Sequence, residues 1–201
     1  MRIVFLRHGP TEWNAVGRFQ GHTDIPLSAE GLAKMRALRP PAPFHAARPF
    51  VSPLLRARQT AEALGLLNPT PDSRLMEQNW GDWEGLSREQ ILSQDGDDAF
   101  SRAGLAADFH PPGGESTRDL MARVAGFLKD AAKTDSDAIA IAHLGVLRAA
   151  YTLATGWNMA TPMPVELDIS KTLVLEADAA GHCRIHALNV EFVTAPSFAR
   201  K

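Results

Sequence analysis

Apolar and polar positions along the chain alternate between two kinds of block. Ile3-Val4-Phe5-Leu6 and Ala138-Ile139-Ala140-Ile141-Ala142 are unbroken β-favouring runs, the pattern of strands covered on both faces. Pro49-Phe50-Val51 reads as a shorter strand of the same kind. Between these runs the spacing changes to three and four. Leu32, Met35 and Leu38 follow Ser28, a good N-cap, and predict a helix to about Arg39. Leu54, Ala57, Ala61 and Leu64 mark one face of a second helix closed by Gly65. Ser87-Arg88-Glu89-Gln90 fits a capping box and opens a third. Ser116 caps a longer one with Leu120, Val124, Phe127, Leu128 and Ala131 inside, and Val146 to Ala154 predicts a helix ended by Gly156. Val165 to Ile169, Leu173 to Leu175 and Cys183 to Leu188 read as strands, the last two joined by a turn at Ala180-Gly181. Residues from Thr194 onward read as an unstructured tail.

Strands alternating with helices predict an α/β fold, a three-layer sandwich around a mostly parallel mixed sheet. The Pro-rich stretch from Pro40 to Pro49 is short and flanked by apolar segments, so residues 1–201 read as one domain. One segment resists the pattern. From Arg7 to Leu27 there is no periodicity, and loops of that length are usually functional.

Composition narrows the classes. The 201 residues are 45% hydrophobic and 22% charged, a soluble globular profile. Lys+Arg is 21 and Asp+Glu is 23, with interspersed signs and a net charge of −2, so no footprint for nucleic acid or an anionic membrane is expected. No apolar run approaches a membrane span. A single cysteine, Cys183, excludes an intramolecular disulfide, and the start of the chain lacks a signal-peptide core, so a cytoplasmic protein is expected. Walker A and dinucleotide glycine patterns are absent, and no nucleotide cofactor is expected.

Ligands of open α/β sheets bind beyond the carboxyl ends of the strands. Those ends carry Arg7-His8-Gly9, then Ser52-Pro53 with Arg56 and Arg58 in the following helix turn, then His143. Two imidazoles and several guanidiniums on one rim match a phosphate, whose oxygens fit the planar donor fork of arginine. An imidazole can take up the phosphoryl group while fixed charges stabilise its equatorial oxygens without a metal. A proton source for the leaving oxygen is then required, and the segment from Arg74 to Gly81 carries a candidate carboxylate.

The motifs themselves are distinctive. Arg7-His8-Gly9-Pro10-Thr11-Glu12-Trp13-Asn14 with Gly17 to Ser28 resembles the opening of the histidine phosphatase (phosphoglycerate mutase-like) superfamily. Ser52 to Ala61, Leu75-Met76-Glu77 with Gly81 to Gly85, Pro112 to Ser116, and Ala142 to Arg148 are similar to its later signatures, in order. The resemblance implies a metal-independent phosphomonoesterase without cofactor, acting on a small phosphorylated metabolite. It makes His8 the nucleophile, gives Arg7, Arg56 and His143 the phosphate, and makes Glu77 the general acid and base. Asn14, Gln20, Gly21 and Leu144 fall where related enzymes contact phosphate or substrate. Leu144 departs from the pattern, because many members have glycine directly after the second histidine, and leucine tolerates fewer backbone conformations.

The segment 86–112, with Arg88, Arg102, Phe109 and His110, is expected to cover the pocket and select the leaving group. His182 and His186 read as surface residues of a hairpin, Asp95 to Asp98 as a solvated turn, and Trp80 as a substrate neighbour. Two other readings remain open: a phosphoglycerate mutase, which returns the phosphoryl group to a second hydroxyl, and a catalytically silent binding module. The sequence is silent on the leaving group and on oligomeric state.

Overall fold

The computed structural model describes residues 1–97, 99–100, 107–108, 110–158, 166–168 and 170–194. Along the chain these form β1 (Arg2–Arg7), α1 (Glu12–Ala15), α2 (Ala29–Arg36), β2 (Leu38–Arg39), β3 (Arg48–Val51), α3 (Leu55–Ala63) and β4 (Thr70–Pro71). Then come α4 (Arg88–Asp95), α5 (Thr117–Ala131), β5 (Ala138–Ala142), α6 (Leu144–Thr155), β6 (Thr172–Ala177), β7 (Cys183–Val190) and β8 (Val193–Thr194). Among the described residues six strands make one sheet in the order β4-β3-β5-β1-β6-β7. The first four run parallel, and β6 and β7 add antiparallel strands at the far side. The fold is therefore α/β with a mixed, mostly parallel sheet.

The two-residue period of a strand sorts each side chain to one face. Ile3, Phe5, Ala138, Ala140, Ala142, Leu173 and Leu175 face α5 and α6, meeting Leu120, Val124, Phe127, Val146 and Leu147. Val4, Leu6, Val51, Ile139, Ile141 and Val174 face Ala57, Ala61 and Leu64 of α3. Strand β5 presents only alanines to the α5/α6 side, which leaves room for the Phe127 ring. That ring meets Phe5 and Phe50 edge-on, with centroids 6.1 and 5.3 Å apart.

Several boundaries differ from the expected ones. Helix α2 stops at Arg36 rather than Arg39, because Leu38–Arg39 pairs antiparallel with Val193–Thr194. Thr194 therefore belongs to a strand; the rest of the expected tail, 195–201, lies outside the described residues. Glu166, Leu167 and Asp168 lie outside any strand, and Val165 and Ile169 are outside the described residues. Helix α6 begins two residues earlier than Val146 and ends at Gly156, whose left-handed backbone (φ 75°) suits a residue without Cβ. Inside the aperiodic segment, α1 is a single turn held by a capping box between Thr11 and Asn14. No helix among the described residues is long and apolar enough to cross a membrane.

Candidate active site

Strand register brings the two histidines together. Arg7 is the partner of Ala142 in the parallel pair β1/β5, and the His8 amide donates to the Ala142 carbonyl at 2.9 Å. His8 and His143 thus leave neighbouring strands at the same level, and their ring centroids stand 5.0 Å apart, tilted by 53°. On the other side of β5 the Ser52 amide donates to the Ile141 carbonyl, which sets the Ser52 hydroxyl 2.8 Å from His143 Nε2.

The Gly9 carbonyl selects the tautomer of His8. His8 Nδ1 donates to the Gly9 carbonyl at 2.7 Å, so Nε2 carries the free lone pair. Burial, with Arg56 and Arg7 close by, pushes His8 down to about 3, and the ring is neutral at neutral pH. His143 is fully buried and also held well below its ordinary range, by burial first and then by His8 and the arginines. Nδ1 of His143 is buried and has no hydrogen-bond partner among the described residues.

Arg56 is fully buried in the first turn of α3. Its Nη atoms donate to the carbonyls of Gly21 (2.7 Å) and Thr23 (3.0 Å), so main-chain groups aim it, and no carboxylate among the described residues is ion-paired with it. Glu84 fixes those carbonyls in turn. Its carboxylate accepts from the amides of His22 and Thr23 at 2.7 Å, from the Trp80 amide at 3.2 Å and from the Thr23 hydroxyl. Burial alone would raise Glu84, but these donors outweigh it and hold the group below the usual range. Gly21 is required by proximity: a Cβ there would lie 1.9 Å from Glu84 Oε1. Replacing Glu84 with glutamine is expected to loosen this clasp and weaken binding of inorganic phosphate about tenfold. Titration calorimetry checks this, and circular dichroism checks that the fold is retained.

Glu77 follows the turn Ser73–Leu75 and is clamped from behind by Arg123 of α5. Arg123 donates to the carbonyls of Arg74 and Met76 (2.7 Å each) and Glu77 (3.0 Å), and it is ion-paired with Glu115 at 2.6 Å. The Glu77 carboxyl accepts from the amides of Gln78 (2.8 Å) and Gly145 (2.9 Å). Burial raises its pKa against the lowering effect of those amides, Arg56 and Arg7. A neutral imidazole and a carboxyl with a raised pKa therefore sit on one rim.

Arg7, His8, Asn14, Gln20, Glu77, Leu144 and Gly145 line a cleft of about 510 Å³, together with Phe19, Trp80, Phe100, Arg88 and Arg148. Arg56 and His143 are fully buried and do not line the cleft; the His143 ring stands beside that of His8, and Gly21 acts on Arg56 through its carbonyl rather than lining the cleft. Gln20 has two attachments, since its Oε1 also accepts from the Thr11 hydroxyl at 3.0 Å. Leu144 needs no glycine-like freedom because it lies in the first turn of α6. Of the expected cover, Arg88 and Phe100 reach the cleft, His110 is exposed, and Arg102 and Phe109 lie outside the described residues. Arg58 is exposed on α3. Ser52, Glu84, Arg123 and Arg148 carry no assigned role in the sequence reading, although Ser52, Glu84 and Arg148 lie inside its motifs.

Nε of Arg7, Nε of Arg56, Nδ1 of His143 and Nε of Arg148 are all buried without a hydrogen-bond partner. Buried polar atoms are rarely left so, and at the carboxyl edge of a parallel sheet such a set is suited to receive an anion. The class is an α/β protein with imidazoles and guanidiniums gathered at the carboxyl edge of its sheet. The chain belongs to the histidine phosphatase superfamily (branch 1), whose family model matches residues 3–191. It is 33% identical over 130 residues to a 2,3-bisphosphoglycerate-dependent phosphoglycerate mutase 2 of Gloeobacter violaceus, covering 60% of this chain and 58% of the mutase. The chain thus spans under two thirds of the length of that relative. It is 28% identical over 193 residues to phosphoserine phosphatase 1 of Hydrogenobacter thermophilus, covering 92% and 86% of the two chains. A mycobacterial glucosyl-3-phosphoglycerate phosphatase in complex with VO3 has a similar structure, with a TM-score of 0.77 and 28% identity over 94% of this chain and 99% of that one.

Proposed function

We propose that this protein is a metal-independent phosphomonoesterase that works through a phosphohistidine on His8, with a small phosphorylated metabolite as substrate. The observation that carries this reading is the set of unpartnered buried polar atoms around the free Nε2 of a neutral His8. Three equatorial phosphoryl oxygens would be received by Arg7, Arg56 and a protonated Nδ1 of His143, with charge stabilised by groups already in place. The His8 Nε2 lone pair forms the N–P bond in line as the ester P–O bond breaks, and protonated Glu77 gives its proton to the leaving oxygen. Water then attacks phosphorus, Glu77 takes its proton, the N–P bond breaks, and the electron pair returns to His8. Asn14, Gln20 and the Leu144 backbone lie at the mouth of the cleft, where substrate is held. Residues 1–201 act as one domain in this reading, and Arg88 and Phe100 of the segment 86–112 supply part of the cleft wall.

Hydrolysis is favoured over mutase chemistry by the more complete match to the phosphatase relative, which covers 92% of the chain against 60% for the mutase. Incubation with 3-phosphoglycerate in the presence of chelator separates the two. Free phosphate and an acid-labile phosphate on His8 are the expected products. Isomerised phosphoglycerate without free phosphate would establish the mutase, and neither product would leave a binding module.

A further inference from the structure

This mechanism leaves three guanidiniums of the cleft unused, Arg18, Arg88 and Arg148. Arg18 donates to the Gly85 carbonyl and Arg88 lies over the Phe100 ring, whereas Arg148 alone of the three has a buried Nε without a hydrogen-bond partner. It stands three residues after Gly145 and four after Leu144, and so shares their face of α6. Both of those residues line the same cleft. The Gly145 amide donates to Glu77, which puts this face on the leaving-group side of the site. Two further facts agree with that placement. Glu77 is the charged group that bears on Arg148, whereas the cations bearing on His8 are Arg56 and Arg7. The Arg148 guanidinium lies over the Trp157 ring at 5.4 Å, which fixes its plane without neutralising it.

Among the described residues Arg148 makes no hydrogen bond or ion pair, and its Nε is buried. A half-buried cation left unpaired beside a cleft is costly unless a ligand meets it. The transferred phosphoryl group already has Arg7, Arg56 and His143 near His8. The anion that suits Arg148 must therefore sit beyond Glu77, on the other side of the oxygen that is protonated.

Resting on the phosphatase reading, we propose that Arg148 forms a second anion subsite, for a carboxylate or second phosphate carried by the leaving group. Substrates of this enzyme are then phosphate esters whose leaving group carries a second negative group. Neutral alcohol phosphates are poorer by the loss of that contact.

The test compares substrates that differ in that group alone. One pair is 3-phosphoglycerate and glycerol 3-phosphate; the other is fructose 1,6-bisphosphate and fructose 6-phosphate. The wild-type kcat/KM is expected to favour the doubly anionic member of one pair about tenfold to a hundredfold, chiefly through KM. The pair that shows it tells carboxylate from phosphate. In Arg148→Met that ratio falls to near one. A wild-type enzyme indifferent in both pairs overturns the proposal, and so does a variant that loses both members equally, which would assign Arg148 to the transferred phosphate. Arg148→Gln carries the same expectation should the methionine variant fail to fold. If no ester is hydrolysed, the phosphatase reading falls, and titration of the same ligands still decides the subsite. Weaker binding of 3-phosphoglycerate but not glycerol 3-phosphate in the variant, or the equivalent in the fructose pair, upholds it, whereas parallel weakening or none ends it.

Discussion

His8→Ala is expected to reduce hydrolysis of every phosphate ester to background, on the order of 10⁴-fold or more, because no other group in the cleft can form the covalent intermediate. Steady-state assays with p-nitrophenyl phosphate and with 3-phosphoglycerate measure this, and loss of acid-labile label on the protein accompanies it. Retention of wild-type turnover would remove the covalent route altogether. The same variant has a second, independent signature in stability. The folded His8 titrates at about 3 and the unfolded one near its ordinary 6.5. As pH falls through that window the unfolded chain binds a proton that the folded chain refuses, so the wild type loses stability. A variant with alanine at position 8 lacks this contribution. Its stability relative to the wild type is expected to rise between about pH 7 and about pH 5 in urea melts. In the proposed mechanism His8 is thus a site where reactivity and acid stability oppose each other.

Glu77→Gln is expected to split the two half-reactions. With p-nitrophenyl phosphate the leaving group needs no proton, so one equivalent of nitrophenol per enzyme should appear quickly. Turnover should then stall, because no base activates water. With an alkyl phosphate even the burst is suppressed, and steady-state rates fall about 10²- to 10⁴-fold. Stopped-flow absorbance at enzyme concentrations near that of substrate records the burst, and a linear trace at the wild-type rate would dismiss Glu77 from both steps. The pH dependence follows from burial. The proposed first step needs Glu77 protonated, and its pKa lies above the ordinary carboxyl value, so kcat/KM is expected to decline as pH rises through that raised value. On the acid side protonation of His8 takes over only near 3. The glutamine variant should lose the alkaline decline in its residual burst rate while keeping the acid one.

The reach of the sequence reading differs between parts of the molecule for physical reasons. Strands β1 and β5 are legible because both of their faces are buried, so every position is apolar. Residues at their ends, His8 and His143, could then be placed by topology alone. Pairing of Leu38–Arg39 with Val193–Thr194 was not legible, since two-residue strands show no period and their partners are far apart in sequence. The role of Ser52 depends on strand order, which places it across from His143. Arg123 is hidden for a different reason. On α5 it reads as one more polar position of an amphipathic helix, and only the fold shows its guanidinium threaded among three carbonyls of the 74–77 segment. Arg148 was legible as part of a motif but not as an unpaired charge, because pairing is a property of surroundings that lie elsewhere in the chain.

Because His8 and His143 emerge side by side from hydrogen-bonded strands, their 5.0 Å separation is close to the distance of about 4.8 Å between adjacent strands of any sheet. The backbone ladder acts as the ruler between the two rings. In the proposed reaction, surrounding loops and helix faces can then exchange side chains and retune which alcohol is released, while the dimension that the phosphorus atom experiences stays unchanged.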